Sequence, residues 1–202
     1  MPAFIIGIGG GSGSGKSAVA DELRRRLAPF RVKIMNQDRY FHDSARLPSH
    51  TSRDGARTWP DHNHPQSFDC ARLRAEVRRA RDTETDVIIL EGILVLQDPE
   101  LRELMDLKLF VEADPDERII RRIQRNLARG GRLDEICGFY LDSVRYRHQE
   151  FCAPTRAFAD LVVPGGRDDR AQAQPLLSEV CARVRAHLSG RARAAAPESA
   201  AT

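Results

Sequence analysis

Lysine is nearly missing from this chain: only Lys16, Lys33 and Lys108 among its 32 basic residues carry an ammonium, and the rest are arginine. The bias reads first as compositional, but a lysine that persists in such a chain can mark a place where a compact point charge is required. Aromatic residues are scarce as well, at 6%, with one tryptophan. No apolar run approaches the roughly 20 residues that cross a bilayer. Residues 1–9 lack a basic leader and a small-residue cleavage site, so a cytoplasmic protein without a membrane partner is expected. The four cysteines are scattered with no Cys-x-x-Cys pair, which fits a reducing compartment and side chains packed as small hydrophobes. His62 and His64 have no cysteine or acidic cluster at zinc spacing beside them. A net charge of +3 is too small to argue for nucleic acid.

What is present is a chain of 202 residues, 41% hydrophobic and 30% charged, a length that suits one domain with a sizeable core. Short apolar runs at 4–8, 32–35, 86–90, 107–111 and 161–163 alternate with helical patterns at 17–27, 68–81, 99–105, 114–128, 133–150 and 168–188. That alternation predicts an α/β fold with a five-stranded parallel sheet covered on both faces. Residues 40–67 form a long, polar, turn-rich stretch, and a loop of that length inside a compact domain is more often functional than a linker. The domain is expected over 1–189, with a disordered Ala/Arg/Pro/Ser-rich tail over 190–202.

Gly10-Gly11-Ser12-Gly13-Ser14-Gly15-Lys16-Ser17 fits G-x-x-x-x-G-K-[ST], and it falls between the first strand and the first helix. Glycines there let the backbone wrap an anion with its N–H groups inward, and the helix N-terminus adds its positive end. Lys16 would reach the β- and γ-phosphates of a nucleoside triphosphate, and the Ser17 hydroxyl would ligate Mg²⁺. Asp38 follows the second strand and Glu91 the third, so both should face the same crevice at the carboxyl ends of the sheet. A carboxylate there can take the proton of an attacking hydroxyl or hold Mg²⁺, and Asp38 and Glu91 both enter the expected metal set with Ser17. Further on, Arg118, Arg122, Arg125 and Arg129 share one helix face opposite Ile119, Ile120, Ile123 and Leu127. No acid lies between Arg118 and Arg132, so these groups repel one another unless an anion joins them, as the arginines of a closing lid would on phosphates.

With these residues assembled, the chain resembles the uridine kinase and phosphoribulokinase family of P-loop kinases. Asn36-Gln37-Asp38-Arg39-Tyr40-Phe41 is similar to the family's Q-D-S-F-Y, and Asn63-His64-Pro65-Gln66-Ser67-Phe68-Asp69 to its D-H-P-D-A-F-D. Glu91-Gly92-Ile93-Leu94 matches E-G-I-L, Arg121-Arg122 with Arg125-Asn126 resembles R-R-x-x-R-D, and Phe151-Cys152-Ala153-Pro154-Thr155 resembles F-C-x-P-T. The resemblance implies a nucleoside-kinase-like fold with an arginine-bearing lid, ATP as donor with Mg²⁺, and a small-molecule hydroxyl as acceptor. It implies Asp38 as catalytic base, with Lys16, Arg122, Arg125 and Arg132 stabilising the transferring phosphoryl group. Arg39, Tyr40, Phe41, Asn63 and His64 would bind the acceptor alongside Asp38, Arg125 and Arg132.

Three departures from the family pattern bear on the acceptor. Asn63 stands where the family has an acid that holds the ribose hydroxyls, and the R-G-R lid tip becomes Gly130-Gly131-Arg132. Between Phe68 and Glu91 there is no room for the extra hairpin with which uridine kinases grip the pyrimidine. The resemblance makes uridine or cytidine the first candidate acceptor, and these departures set a vitamin riboside, a sugar phosphate or a pantothenate-like alcohol beside it. A nucleotide-driven ATPase or switch is a second class, disfavoured because no N-K-x-D motif appears. Nucleic-acid binding through the arginine helices is a third, disfavoured by the low net charge. A homo-oligomer is left open.

Overall fold

The computed structural model describes residues 2–52, 55–166 and 169–195. Its frame is a parallel sheet of five strands in the order β2-β5-β1-β6-β7. These are β1 (Phe4–Gly9), β2 (Val32–Asn36), β5 (Val87–Glu91), β6 (Leu107–Glu112) and β7 (Leu161–Pro164). The remaining two, β3 (Ser49–Thr51) and β4 (Thr58–Pro60), pair antiparallel as a separate hairpin. Every residue of β1 and β5 is buried, as continuous apolar strands at the centre of a two-sided sheet must be.

Side chains alternate between two cores. Ile6, Ile8, Val87 and Ile89 face α1 (Lys16–Arg26) and α7 (Arg170–Ala195), meeting Leu23, Leu177 and Val184. Ile5, Ile88 and Leu90 face the other way onto α2 (Cys70–Arg81), where Leu73 and Val77 are fully buried, and onto Leu101 of α3 (Pro99–Glu103). The parallel register sets Ile8 level with Glu91 and Glu91 level with Asn36. The phosphate-loop candidate, a carboxylate and an amide therefore leave the sheet at one height.

After β6 come α4 (Pro115–Leu127), α5 (Leu133–Phe139) and α6 (Arg145–Arg147), the last flanked by π-helical turns over Tyr140–Val144 and His148–Cys152. The helix expected over 133–150 is there without a break, its hydrogen bonding switching to π turns at these two places. The apolar side of α4 is largely open, with Ile120 54% and Leu127 43% exposed, while its arginine side packs toward the sheet edge. The last helix runs to Ala195, past the expected end at Leu188 and into the expected tail. Its expected first residue, Asp168, and residues 196–202 lie outside the described residues.

Ile89 is fully buried, and truncating it to alanine should cost about 2–5 kcal/mol in a urea-unfolding measurement. Ile120→Ala, on the open side of α4, should change stability by no more than about 0.5 kcal/mol.

Candidate active site

The loop joining β1 to α1 turns on glycines with left-handed backbone, Gly13 at φ 83° and Gly15 at φ 97°, where any other residue would be strained. The first turn of α1 has neither a side-chain cap nor an acid, so its amides and its positive end are left for an anion. Lys16 opens that helix, nearly buried, and its Nζ donates to the Gly11 carbonyl at 2.9 Å. Burial lowers its pKa, and the carboxylates of Glu91 and Asp38 oppose that effect. Cys152 lies beside it as well, but burial pushes that thiol up to about 11, so it is neutral near pH 7 and lends the ammonium no charge.

Glu91, at the end of β5, is 4% exposed. It accepts the Ser17 hydroxyl on both oxygens, at 3.0 and 3.1 Å, and the Asn36 amide at 2.6 Å. Asn36 reaches back with its own oxygen to the Asp38 backbone N–H at 2.7 Å, so one amide fixes both acidic segments. Gln37 is buried between strands: its Oε1 accepts from the Leu94 N–H at 2.9 Å, and its side chain packs so close to Gly92 that a Cβ there would collide with it. Asp38 is left exposed on the cleft. A hydroxyl next to a carboxylate is the hard-oxygen set that suits Mg²⁺. Among the described residues no group of three or more His, Cys, Asp or Glu could hold a metal.

Three arginines of α4 reach the loop. Arg122 and Arg125 both donate to the Ser12 hydroxyl, at 3.3 and 3.1 Å. Arg121 donates to the carbonyls of Gly13 and Gly165 at 3.1 and 2.7 Å and pairs with Glu117. Burial, and then the neighbouring Arg125, push Arg122 down to about 10, and its Nε is buried without a hydrogen-bond partner among the described residues. Arg125 is lowered by burial and then by Arg129, with Asp38 opposing. Arg118 departs from the expected face: it is buried behind the loop, its Nε on the Ala113 carbonyl at 3.0 Å.

A cleft of about 580 Å³ is lined by Ser12, Gly13, Gly15, Lys16, Ser17, Asp38, Phe41, Asn63, Glu91, Arg122 and Arg125. These expected residues meet in one place. Gly10, Gly11 and Ser14 belong to the loop but lie behind that surface. Four expected acceptor residues do not line the cleft. Tyr40 is in the core, its hydroxyl donating to Glu76 at 2.7 Å, with burial and that bond pushing it up to about 12. Arg39 points to solvent, and His64 packs edge-on against Phe151 at 4.9 Å. Arg132 is exposed and pairs with Asp134. Arg129 of the expected arginine face lines the cleft too; residues not expected there are Ala18, Asn36, His62, Gly92, Ile93, Arg121 and Phe139. A second cleft, of about 570 Å³, shares Gly15, Ala18 and Arg121 with the first and continues past Glu22, Pro164 and Gly165.

The model of the phosphoribulokinase / uridine kinase family matches residues 57–172. The uridine kinase of Clostridium novyi is 34% identical over 204 residues, covering 89% of this chain and 96% of that protein. That of Lactobacillus helveticus is 37% identical over 193 residues, covering 83% and 89%. The chain belongs to the phosphoribulokinase / uridine kinase family. As a member it is a kinase, and the family implies ATP as phosphate donor. Two solved structures share its fold: TT1252 from Thermus thermophilus, at TM-score 0.51 and 22% identity over 89% of this chain and 98% of that one, and APE1195, at TM-score 0.54 and 17% identity over 93% and 97%.

Behind the kinase's loop, His148 sits against Gly11 with its Nδ1 buried and unpartnered. Burial, then the charges of Arg118 and Lys16, hold it down at about 4. The folded state therefore keeps this imidazole neutral while the unfolded chain protonates it near 6.5. Stability should fall as pH drops from about 6.5 toward about 4. His148→Gln should flatten that limb of a thermal-melt pH series.

Proposed function

We propose that the protein transfers the γ-phosphoryl group of ATP to the hydroxymethyl group of a nucleoside, uridine or cytidine first, giving the 5′-monophosphate and ADP. The observation that carries this reading is the meeting of Lys16, Ser17, Asp38, Glu91, Arg122 and Arg125 on one cleft. The triphosphate would lie along the loop from Gly10 to Ser17, its β- and γ-oxygens taking Lys16 from the Gly11 carbonyl. The second cleft, continuous with the first at Gly15 and Arg121, suits the purine of the donor. Ser17 and Glu91, with Asp38 near them, would hold Mg²⁺, which when bound neutralises phosphate charge.

The acceptor would enter past Phe41, His62 and Asn63, with its hydroxyl toward Asp38. Asp38 takes the proton as the oxygen attacks phosphorus in line, and the bond to the β-phosphate oxygen breaks to release ADP. Arg122 and Arg125 stabilise charge on the transferring group. Arg122 is already half-buried, so its interaction with that charge is stronger than in water, while Arg125 reaches in from the more exposed rim. Arg132 would act only after the lid tip moves inward, because in this state it is paired with Asp134.

A second reading has its own support. Five residues separate the end of α2 at Arg81 from the start of β5 at Val87, too few for a base-reading hairpin. An acceptor recognised by its alcohol and not by a pyrimidine, such as a vitamin riboside or a sugar phosphate, fits that gap.

The test is a panel of acceptors with ATP and Mg²⁺, following ADP release. Turnover with one small alcohol supports the reading, and a rate indifferent to every acceptor overturns it. Asp38→Asn should lower kcat by about 10²–10⁴-fold with nucleotide affinity kept within about twofold. Lys16→Ala should weaken ATP binding, read by calorimetry, and unchanged affinity would remove the loop from the site.

A further inference from the structure

The long segment between Tyr40 and Ser67 is fastened to the helices that follow the lid. The Trp59 ring meets Phe139 edge-on, with centroids 5.6 Å apart. Two residues on, the fully buried Asp61 accepts from Arg147 Nε at 2.7 Å, and the same carboxylate accepts the Asn63 N–H at 2.9 Å. His64 then packs against Phe151. Between these fixed points His62 and Asn63 line the main cleft. The hairpin itself is closed at its base by the Asp61 N–H on the Pro48 carbonyl, at 2.7 Å.

Phe139 is the joint of this arrangement. It lines the cleft opposite the loop, and the Arg122 guanidinium lies 5.9 Å from its ring centroid. Its ring therefore touches the hairpin through Trp59, the acceptor space through the cleft, and the phosphate end through Arg122. Without Trp59 the ring would lose its only aromatic neighbour among the described residues and could swing out of the cleft wall.

We propose that Trp59 is a positioning residue that fixes Phe139 as the outer wall of the acceptor compartment, so that the β3–β4 hairpin determines which alcohols this kinase accepts. The claim rests on the kinase reading above. The hairpin does here, from a different place in the chain, the work of enclosing the acceptor. A wall so placed discriminates by shape: an acceptor that fills the space to Phe139 gains contacts that a smaller one lacks.

The experiment measures kcat and KM of the wild type, Trp59→Ala and Trp59→Phe for uridine, cytidine, a vitamin riboside, a pentose phosphate and pantothenate, each with ATP and Mg²⁺. Trp59→Ala should raise KM for the preferred acceptor about tenfold and narrow its advantage over the next by a similar factor, while KM for ATP stays within about twofold. Trp59→Phe should restore most of the preference. An unchanged kcat/KM ratio between the acceptors in Trp59→Ala, or an equal rise in the KM values for acceptor and ATP, overturns the proposal. If the wild type phosphorylates nothing in the panel, the kinase reading fails separately, and the contact is judged by fluorescence. Trp59 is the only tryptophan, so Phe139→Ala should shift its emission to the red and raise its quenching by acrylamide. Unchanged emission and quenching would overturn the positioning role.

Discussion

Positive charge gathered without ion-pair partners is the constraint on which this site depends. Lys16, Arg122, Arg125 and Arg129 line one cleft, and none of them forms an ion pair among the described residues. They are held by neutral acceptors: one carbonyl for Lys16, and one serine hydroxyl shared by Arg122 and Arg125. A shared hydroxyl cannot satisfy two guanidinium forks, and the lowered pKa values of Lys16, Arg122 and Arg125 express the same cost. Phosphate oxygens would exchange these weak partners for charge-assisted ones. Preorganised charge of this kind serves a transition state better than a ground state, because its repulsion is already built into the fold.

The fold holds that charge by anchoring each contributor to something stiff. Lys16 is tied to the first turn of α1 and Glu91 to the last residue of a strand buried on both sides. Asn36 ties Glu91 to the Asp38 segment with one amide, and Gln37 ties that same turn to Leu94. Asp38, the proposed base, is thus positioned by backbone and amide bonds, while its own carboxylate stays exposed. The arginines have a looser support. Their helix is half open to solvent on its apolar side, as an element that closes over a substrate would be.

What the sequence made legible was whatever depends on neighbours in the chain or on sheet register. The phosphate loop is a local pattern, and the strand ends place Asp38 and Glu91 on the same edge. Tyr40 and Phe41 show where that reasoning stops. The motif drew both to the acceptor, but the tight turn over Gln37–Tyr40 directs Tyr40 into the core against Glu76 and leaves Phe41 on the cleft. The hairpin escaped notice because strands of three residues carry too little alternation to register. Phe139 and His62 could not be found from local pattern at all, since their place on the cleft arises from contacts between segments about 80 residues apart.

The same contacts bear on the missing acid of the proposed acceptor site. Asp61 and Asn63 are close in sequence, and either could have faced the acceptor. Asp61 is fully buried on Arg147, and an ion pair so enclosed is costly to break, by about 3–5 kcal/mol when one partner is lost. Its charge is committed to holding the hairpin, and the uncharged amide of Asn63 is what reaches the cleft. On that side Asp38 is then the one carboxylate that can meet an incoming hydroxyl among the cleft-lining residues, since Glu91 is engaged by Ser17 and Asn36. A second acid there would compete for the acceptor's proton and repel an acceptor that carries phosphate. The cleft then presents one free carboxylate, one neutral hydrogen-bonding amide and an aromatic ring, a set that under the proposed reading would select an alcohol by shape more than by charge.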